Sequence, residues 1–370
     1  MGYNTPEQEG RETVSEHVFV GMSGGVDSSV AAALLLHAGC RVSGINARML
    51  GGVAETGGAC GSQRDTEDAA AVARRLRIPF YAVDLSEPFR ETVIRNFISE
   101  YEQGRTPNPC AVCNRYVKFG ALLDQVTALG GDAIATGHYA RVRFDETSGR
   151  YQLLRGADRK KDQSYFLYAL TQAQLARVLF PLGGLEKQQV RQIAEELGLV
   201  NAAKRDSQDI CFVPNGKYAE FIEQSAGKTF PAGEFLDENG RVLGRHKGII
   251  RYTLGQHKGL GLSTETPLYV LGKNAADNTV RLGPDSALWS RSLTAEQMNW
   301  IALADLTAPI AVTVKTRYTQ QEAAAVAEPL SGGRVRVVFD EPQRAVTAGQ
   351  VVVLYDGETV VGGGIICDAQ

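Results

Sequence analysis

Residues 17–39, HVFVGMSGGVDSSVAAALLLHAG, set the architecture of the chain. The short apolar, β-rich run His17–Met22 predicts a strand, and the alanine- and leucine-rich run Ser28–His37 predicts a helix that is closed by Gly39. Between them, Ser23–Asp27 predicts a glycine turn. Such a turn presents backbone N–H groups and a helix N-terminus to an anion. The sequence therefore predicts a phosphate-binding loop after the first strand.

Strands and helices continue to alternate beyond this unit. The predicted elements are a strand at 41–45, a helix at 62–76 capped by Ser62, a strand at 80–85, a helix from 86 and a strand at 133–136. This alternation predicts parallel βαβ units and a doubly wound α/β domain. The loops at 23–28, 46–61 and 137–139 should then face one crevice at the carboxyl ends of the strands.

The sequence changes character after Cys211. Short β-type runs separated by glycines predict a small central domain, and alternating strands towards the C-terminus predict a small β-barrel or sandwich, of which we expect the antiparallel β-barrel. We expect a flexible tail at 1–16, an α/β domain at 17–207, a central domain at 208–285 and the barrel domain at 286–370.

Composition limits the classes of function. The 370 residues include 39 lysines and arginines against 42 aspartates and glutamates, a net charge of −3, which excludes a uniformly basic polyelectrolyte. A nucleic-acid partner then requires a local basic patch. No apolar run is long enough to span a membrane, and the polar N-terminus lacks the features of a secretory signal. Six cysteines are too few for a disulfide scaffold, so a reducing cytoplasm is the expected location.

The glycine turn differs from two common nucleotide-binding motifs. It lacks the lysine that follows the last glycine of a Walker A loop, and no strand leads into a GxGxxG pattern. The Gly-Lys-Thr at 227–229 is a decoy, because Ile222 stands where the first glycine is required. A carboxylate beside phosphates is repulsive without a cation, so Asp27 suggests a Mg²⁺ ion at the phosphate end.

Two further segments carry cysteines. TPNPCAVCN at 106–114 has two prolines that stiffen the loop and disfavour a helix, so we expect Cys110 and Cys113 on a rigid, non-helical lead. DSQDICFV at 206–213 follows two cations that favour a thiolate at Cys211. On spacing alone, Cys113 and Cys211 are equally well explained as unrelated cysteines. Together with Cys110 they could also be three ligands of an iron–sulfur cluster.

The order of motifs resembles one family, the tRNA-specific 2-thiouridylases, a branch of the ATP pyrophosphatases. The resemblance extends from about residue 17 to the end of the chain. It is carried by the motifs GMSGGVDSS at 21–29, TPNPCAVCN at 106–114, ATGHYAR at 135–141, KDQSYFL at 161–167, DSQDICF at 206–212 and RYTLGQH at 251–257.

The resemblance implies a reaction in which ATP adenylates the C2 oxygen of the wobble uridine and sulfur replaces it, with AMP and pyrophosphate released. By this analogy Cys211 carries a persulfide and Cys113 is the partner nucleophile, which leaves a Cys113–Cys211 disulfide. The implied ATP contacts are Gly21, Met22, Ser23, Gly24, Gly25, Val26, Asp27, Ser28, Ala47 and Gly137. The implied tRNA contacts are Asn108, Pro109, Cys110, His138, Lys161, Asp162, Gln163, Arg317, Tyr318 and Gln350.

The implied partners are tRNAs of the lysine, glutamate and glutamine type and a persulfide donor such as a cysteine desulfurase or sulfur-relay protein. We expect a monomer. Some members of the family have aspartate in place of Cys110, which leaves its role open as a catalytic group, a cluster ligand or a base contact. Three alternatives are an amidating ligase, a non-catalytic tRNA- or cluster-binding protein and a 4-thiouridine synthase. An amidating ligase has no need for both cysteines, and a non-catalytic binding protein has no need for an intact loop. We see no separate RNA-binding region before the loop that would suggest a 4-thiouridine synthase.

Overall fold

A computed structural model describes residues 16–50, 62–199, 201 and 210–370 of the chain. The predicted tail, the loop 51–61, the cations Lys204 and Arg205 and the first four residues of DSQDICF lie outside the described residues, except that Glu16 is described.

The helices and strands follow the sequence closely in the first half. The α-helices are α1 (Val26–His37), α2 (Gln63–Leu76), α3 (Ser86–Phe89), α4 (Arg95–Glu102), α5 (Pro109–Val112), α6 (Leu122–Ala128), α7 (Ser164–Leu167), α8 (Gln172–Leu175), α9 (Lys187–Glu196) and α10 (Tyr218–Ala226). The first seven strands are β1 (His17–Gly21), β2 (Arg41–Arg48), β3 (Phe80–Asp84), β4 (Ala133–Ala135), β5 (Ala140–Asp145), β6 (Arg150–Arg155) and β7 (Val178–Leu179). The others are β8 (Gly233–Leu236), β9 (Val242–His246), β10 (Tyr269–Asn274), β11 (Thr279–Gly283), β12 (Trp289–Trp300), β13 (Ile310–Lys315), β14 (Ala323–Leu330), β15 (Arg334–Arg344), β16 (Val351–Asp356) and β17 (Thr359–Ala369).

A five-stranded parallel sheet forms the first unit, in the order β3-β2-β1-β4-β7. Because strand side chains alternate, Val18 and Val20 pack on one face with α1, α2 and α9, and Phe19 packs on the other with the helices of 86–128. Both faces are covered, as a parallel sheet requires. The predicted doubly wound fold is confirmed.

Two helical segments on the second face contain π-helical turns. Residues Arg90–Ile94 join α3 to α4, and residues Cys113–Ala121 join α5 to α6. The side chain of Asn108 accepts a hydrogen bond from the N–H of Ala111 and caps α5, and Pro109 occupies the first turn. The expected non-helical lead to the cysteines is therefore wrong, because proline is tolerated in the first helical turn and Pro109 begins a helix that contains Cys110. Cys113 lies where the α-helical turns give way to π-helical turns.

The remaining strands form two β units. Strands β10-β11-β8-β9 make a four-stranded sheet around Phe235, Val270 and Val280. Strands β12-β15-β14-β13-β16-β17 close on themselves through a β12–β17 pairing, which gives the six-stranded antiparallel barrel that the sequence predicted. The hairpin β5-β6 joins the outside of β17, so a strand pair from the first part of the chain extends the barrel sheet.

The barrel also holds the loop that precedes Cys110. The side-chain amide of Gln350 donates to the carbonyl oxygens of Thr106 and Pro107, at 2.9 and 3.1 Å, and the N–H of Thr106 donates to the carbonyl of Ala348. Gly349 has φ +87°, and a Cβ there would come within 2.9 Å of the Thr106 nitrogen. Only glycine allows this approach.

Among the described residues, none of the helices has the length and apolarity needed to cross a bilayer.

The approach of β17 to the first unit gives a stability prediction. A Cβ on Gly363 would lie 2.5 Å from the carbonyl oxygen of Val352 and 2.6 Å from the Tyr168 ring, so we expect Gly363→Ala to destabilise the protein by roughly 1–3 kcal/mol. The measurement is the thermal unfolding midpoint. Gly272→Ala is the matched control, because nothing lies within 4 Å of its Cβ position. Equal midpoints for the two variants would contradict the prediction.

Candidate active site

The glycine turn lies at the carboxyl end of β1 and leads directly into α1. Gly25 is the N-cap of α1 and makes no side-chain cap, so the first N–H groups of the helix are available to an anion. The hydroxyl of Ser28 accepts from the N–H of Ser23 at 3.2 Å and donates to the carbonyl of Gly25 at 3.1 Å. These bonds fix the shape of the turn beside the helix N-terminus, which is the kind of site that binds a phosphate group.

Two glycines allow neighbouring loops to approach this turn. Gly24 has φ +71°, and a Cβ there would come within 2.5 Å of the carbonyl oxygen of Asp65 at the start of α2. A Cβ on Gly137 would lie 2.7 Å from the Ser28 nitrogen. The loops at 23–28 and 137–139 therefore meet at one edge of the sheet, as predicted, whereas 51–61 lies outside the described residues.

The carboxylate of Asp27 is neutralised by a lysine that sequence reasoning missed. The Lys187 ammonium donates to both Asp27 oxygens, at 2.7 and 2.8 Å, and the Tyr139 hydroxyl donates to one of them at 2.9 Å. Lys187 lies in the first turn of α9, 160 positions from its partner, and no local pattern distinguishes it from a solvent-exposed helix lysine. The pair places a cation and an anion beside the phosphate-binding turn.

Two buried side-chain amides hold the phosphate-binding turn in place through hydrogen bonds. Asn46 donates to the carbonyl of Met22 at 2.7 Å and accepts from the Thr66 hydroxyl. Asn201 donates to the carbonyl of Gly24 at 3.0 Å and to the Ser29 hydroxyl at 2.9 Å. The turn is therefore fixed before any ligand arrives. Ala47, the predicted adenine contact, follows Asn46 at the end of β2.

We predict that Asp27 and Lys187 are strongly coupled. Lys187→Gln alone should leave a partly buried carboxylate without its cation and lower the free energy of unfolding by about 1–3 kcal/mol. This range is below that of a fully buried ion pair because the Asp27 side chain is 30% exposed. The double variant Asp27→Asn with Lys187→Gln should recover part of that loss. Thermal unfolding of both single variants and the double variant, without nucleotide, measures the coupling. Additive losses would contradict it.

The two cysteine segments pack into the same hydrophobic cluster. Cys113 is buried in it, and Cys211 is half-buried against it. The Phe212 ring packs edge-on against Phe89 and Phe97, at 5.5 and 5.2 Å, and α3, which contains Phe89, packs on the π-helical turn that begins at Cys113. The fold thus brings together segments separated by almost a hundred positions. No disulfide between Cys113 and Cys211 is present.

The iron–sulfur alternative gains no support from the geometry. Within the described ranges, which include Cys110, Cys113 and Cys211, no three histidine, cysteine, aspartate or glutamate side chains converge as metal ligands. Cys110 is exposed, whereas Cys113 on the next turn is buried in the apolar cluster. The three cysteines therefore do not form a preorganised ligand set, and the same finding leaves Asp27 as a lone carboxylate for a magnesium ion.

His138 is held as a neutral imidazole near the predicted nucleotide loop. Its Nδ1 lies 2.6 Å from the Thr136 hydroxyl, and the rings of Phe119 and Phe180 pack against it. Burial, with a smaller contribution from Lys118, lowers the pKa of His138 well below its usual value of 6.5. A contact with tRNA would therefore come from a neutral side chain.

Several predicted tRNA contacts are occupied by internal bonds. Asp162 is buried, and its carboxylate accepts from the N–H groups of Gly156 and Ser164 and from the Ser164 hydroxyl. The Gln163 side chain accepts from the N–H of Tyr139. Lys161 is half-buried beside them. This segment therefore fixes the loop behind Gly137 and His138, and the contact of Asp162 with tRNA stays a prediction.

The predicted contacts in the barrel all pack against protein groups. Arg317 donates to the carbonyl of Ala345 and the hydroxyl of Thr347, and burial lowers its pKa. The Tyr318 ring packs on Phe166 at 4.5 Å. Gln350 holds the loop that precedes Cys110 at Thr106 and Pro107.

His138 gives a pH prediction. Its pKa is lower in the folded chain than in the unfolded chain, so the unfolded chain takes up the proton first as the pH falls below about 6.5. Stability is complete above that pH and decreases below it by up to about 1.4 kcal/mol per pH unit for one proton. We expect His138→Gln to flatten this loss between pH 7 and 5.

The pH dependence of thermal unfolding is the measurement. His37→Gln, at an exposed histidine at the end of α1, is the matched control. Burial also lowers the pKa of His246, so a residual slope should remain in His138→Gln. An unchanged slope in that variant would refute the prediction.

Three family descriptions match the chain in order. Residues 16–215 match a family described as a tRNA methyl transferase HUP domain. Residues 219–284 match one described as a tRNA methyl transferase PRC-barrel domain, and residues 290–366 one described as an aminomethyltransferase beta-barrel domain.

Curated relatives match nearly the whole chain. The tRNA-specific 2-thiouridylase MnmA of Acetivibrio thermocellus is 49% identical over 353 residues, which are 94% of this chain and 98% of that protein. The protein of the same name from Geotalea uraniireducens is 50% identical over 95% of both chains. A solved 4-thiouridine synthetase–RNA complex with bound ATP is 17% identical, with a TM-score of 0.34 over 57% of this chain and 50% of that one.

The parallel sheet with its glycine turn at the start of α1 defines an α/β protein with a phosphate-binding loop. With these relatives, the chain belongs to the tRNA-specific 2-thiouridylase family.

Proposed function

We propose that this chain is an ATP-dependent tRNA-uridine 2-sulfurtransferase that converts the wobble uridine of tRNA to 2-thiouridine. The observation that carries the proposal is the co-occurrence of the braced phosphate-binding turn and the two cysteine segments in one chain of this family. The descriptions of the matched families also name methyl transfer. The packing of the Cys113 and Cys211 segments into one cluster favours sulfur transfer over methyl transfer.

The first half-reaction activates the base. The turn residues 21–28 and Gly137 bind the phosphates of ATP through backbone N–H groups and the α1 N-terminus. Ala47 lies on the adenine side. The C2 oxygen of the uridine attacks the α-phosphorus, pyrophosphate leaves, and the base carries AMP on that oxygen. Lys187 is placed to stabilise charge that develops on the phosphates.

A magnesium ion would be held by the phosphates with Asp27 as its protein ligand, and it would shield the charge between them. The described residues fit this limited role, because Asp27 borders the turn and is itself balanced by Lys187. For an iron–sulfur cluster the described cysteines offer no converged ligand set, so no step depends on one.

The second half-reaction transfers sulfur. Cys211 receives a sulfur atom from a persulfide donor protein and becomes Cys211–S–SH. The terminal sulfur attacks C2, and the Cys113 thiolate attacks the Sγ of Cys211. The S–S bond breaks, its electron pair remains on the sulfur now bonded to C2, and AMP leaves with the original oxygen. The resulting Cys113–Cys211 disulfide is then reduced by an external thiol with two electrons.

The tRNA contacts are divided between the units. Asn108, Pro109 and Cys110 surround the flipped base, which must leave the stack for C2 to be reached. Lys161, His138, Arg317, Tyr318 and Gln350 position the anticodon arm around the same loop. We place the division of the chain at 17–207, 208–285 and 286–370 and the enzyme in the cytoplasm, where tRNA is available.

The test measures adenylation and sulfur transfer separately. Purified protein is incubated with ATP, Mg²⁺, sulfide and a wobble-uridine tRNA, and the digested tRNA is analysed by mass for 2-thiouridine. With a persulfide donor in place of sulfide, we expect Cys211→Ser to lose product formation at least a hundredfold. The same variant should still release pyrophosphate, because adenylation precedes sulfur transfer, whereas AMP should stay on the base.

Cys367→Ser is the matched control and should retain product formation, because Cys367 lies in β17 with its thiol directed to the Thr294 carbonyl. Cys113→Ser should retain the persulfide on Cys211 without turnover. Product formation by Cys211→Ser at the wild-type rate would exclude the sulfur-carrier role, and incorporation of a methyl group would indicate the other activity.

A further inference from the structure

A pocket of about 240 Å³, lined by both polar and apolar residues, lies beside the loop that precedes Cys110, between the first unit and the barrel. Its walls come from the helix 86–102, the segment 107–116, Tyr168 and Ala169, and the barrel. Sites for drug-sized ligands measure roughly 300–1,000 Å³, so this pocket suits one ring system. The predicted ATP contacts do not line it.

The pocket and the cysteines lie on opposite sides of one helical segment. The pocket side is formed by Asn108, Ala111, Val112, Arg115 and Tyr116, whose spacing of three and four residues marks a single helix face. Cys110 and Cys113 fall between those positions and do not line the pocket. A polynucleotide that binds one nucleotide at the cysteines can therefore pass the end of the helix at Asn108 and bind the neighbouring nucleotide in the pocket.

The mouth of the pocket has a stacking surface and a cation. Tyr116 is 49% exposed, which is unusual for a large aromatic side chain, and the Arg115 guanidinium lies 5.2 Å from the centre of its ring. Among the described residues, no carboxylate forms an ion pair with Arg115. Aromatic rings bind unstacked bases of any sequence, and a nearby guanidinium binds the phosphate that accompanies them.

Gln297 of the barrel lines the pocket at a position of strained backbone. Gln297 has φ +52°, a left-handed conformation uncommon for a residue other than glycine, and it lies where the pairing of β12 with β17 shifts between Glu296 and Asn299. Bulges of this kind redirect a side chain, and strain of this kind concentrates at functional sites. Asn96 and Asn108 add further amides to the lining. Amides both donate and accept, as the edge of a pyrimidine requires.

We propose that this pocket binds a second unstacked nucleotide of the anticodon loop, next to the uridine that is modified. Tyr116 stacks on its base, Arg115 contacts its phosphate, and the amides of Gln297 and Asn96 contact the base edge. The pocket thereby contributes to the choice of tRNA, which the target base alone cannot provide. This inference rests on the proposed function, because it requires a tRNA at the Cys113 side of the helix.

The test measures binding and turnover with tRNA that carries 2-aminopurine on the 5′ or the 3′ side of the wobble uridine. Stacking quenches this base analogue, so one of the two positions should lose fluorescence on binding to the wild-type protein. Tyr116→Ala should remove the quenching and raise KM for tRNA about tenfold. Tyr116→Phe, which keeps the ring, should behave as wild type. Gln297→Ala should reduce discrimination between bases at that position, and Gln297→Asn should retain it.

The outcomes separate three causes. Unchanged quenching and KM in Tyr116→Ala would overturn the proposal. A loss of turnover with a protein persulfide donor but not with sulfide would also overturn it, because Tyr116 would then belong to a protein-docking surface. Quenching is an equilibrium measurement, so it reports on the pocket even if the wild-type protein makes no 2-thiouridine, a result that would refute the proposed function instead.

Discussion

The contact between the barrel turn at 348–350 and the loop before Cys110 is the constraint on which the rest of the site depends. Gln350 binds two successive carbonyl oxygens of that loop, and Gly349 allows the backbones to meet. The loop contains prolines and so has few backbone partners of its own. The barrel supplies them, and in doing so it fixes the start of α5, the position of Cys113 and one wall of the pocket beside this loop.

A second constraint operates at the other end of the site. Asp27 and Lys187 join α1 to α9 across the sheet edge, with Tyr139 as a third member. A carboxylate at a phosphate-binding turn would repel its ligand without this cation. The pair therefore makes an acidic residue compatible with nucleotide binding, and it links the turn to the loop that contains Gly137 and His138.

The negative net charge of the chain is compatible with an RNA partner if its basic residues are placed locally. The chain carries a charge of −3, yet it belongs to a family named for tRNA modification. Arg317, one of the basic residues assigned to tRNA contacts, is partly buried and holds the turn at 345–347. Under the proposed function, RNA is therefore recognised by a few exposed groups together with the shape of the surface, which is the usual way that proteins distinguish folded RNA.

The sequence by itself determined the doubly wound sheet, the glycine turn and the β-barrel, because hydrophobic periodicity and turn residues act over short distances. Ser62 was recognisable as a cap, and its side chain does accept from the N–H of Asp65. The sequence could not reveal Lys187, Tyr139 or Asn201 as neighbours of the turn, since each comes from a distant element and resembles an ordinary surface or core residue. It also placed Asp162 and Gln350 among the RNA contacts, and only the fold shows that both side chains also make hydrogen bonds within the protein. Only tertiary structure decided these roles, because a hydrogen bond depends on which atoms the packing brings within 3 Å, and a linear pattern does not contain that distance.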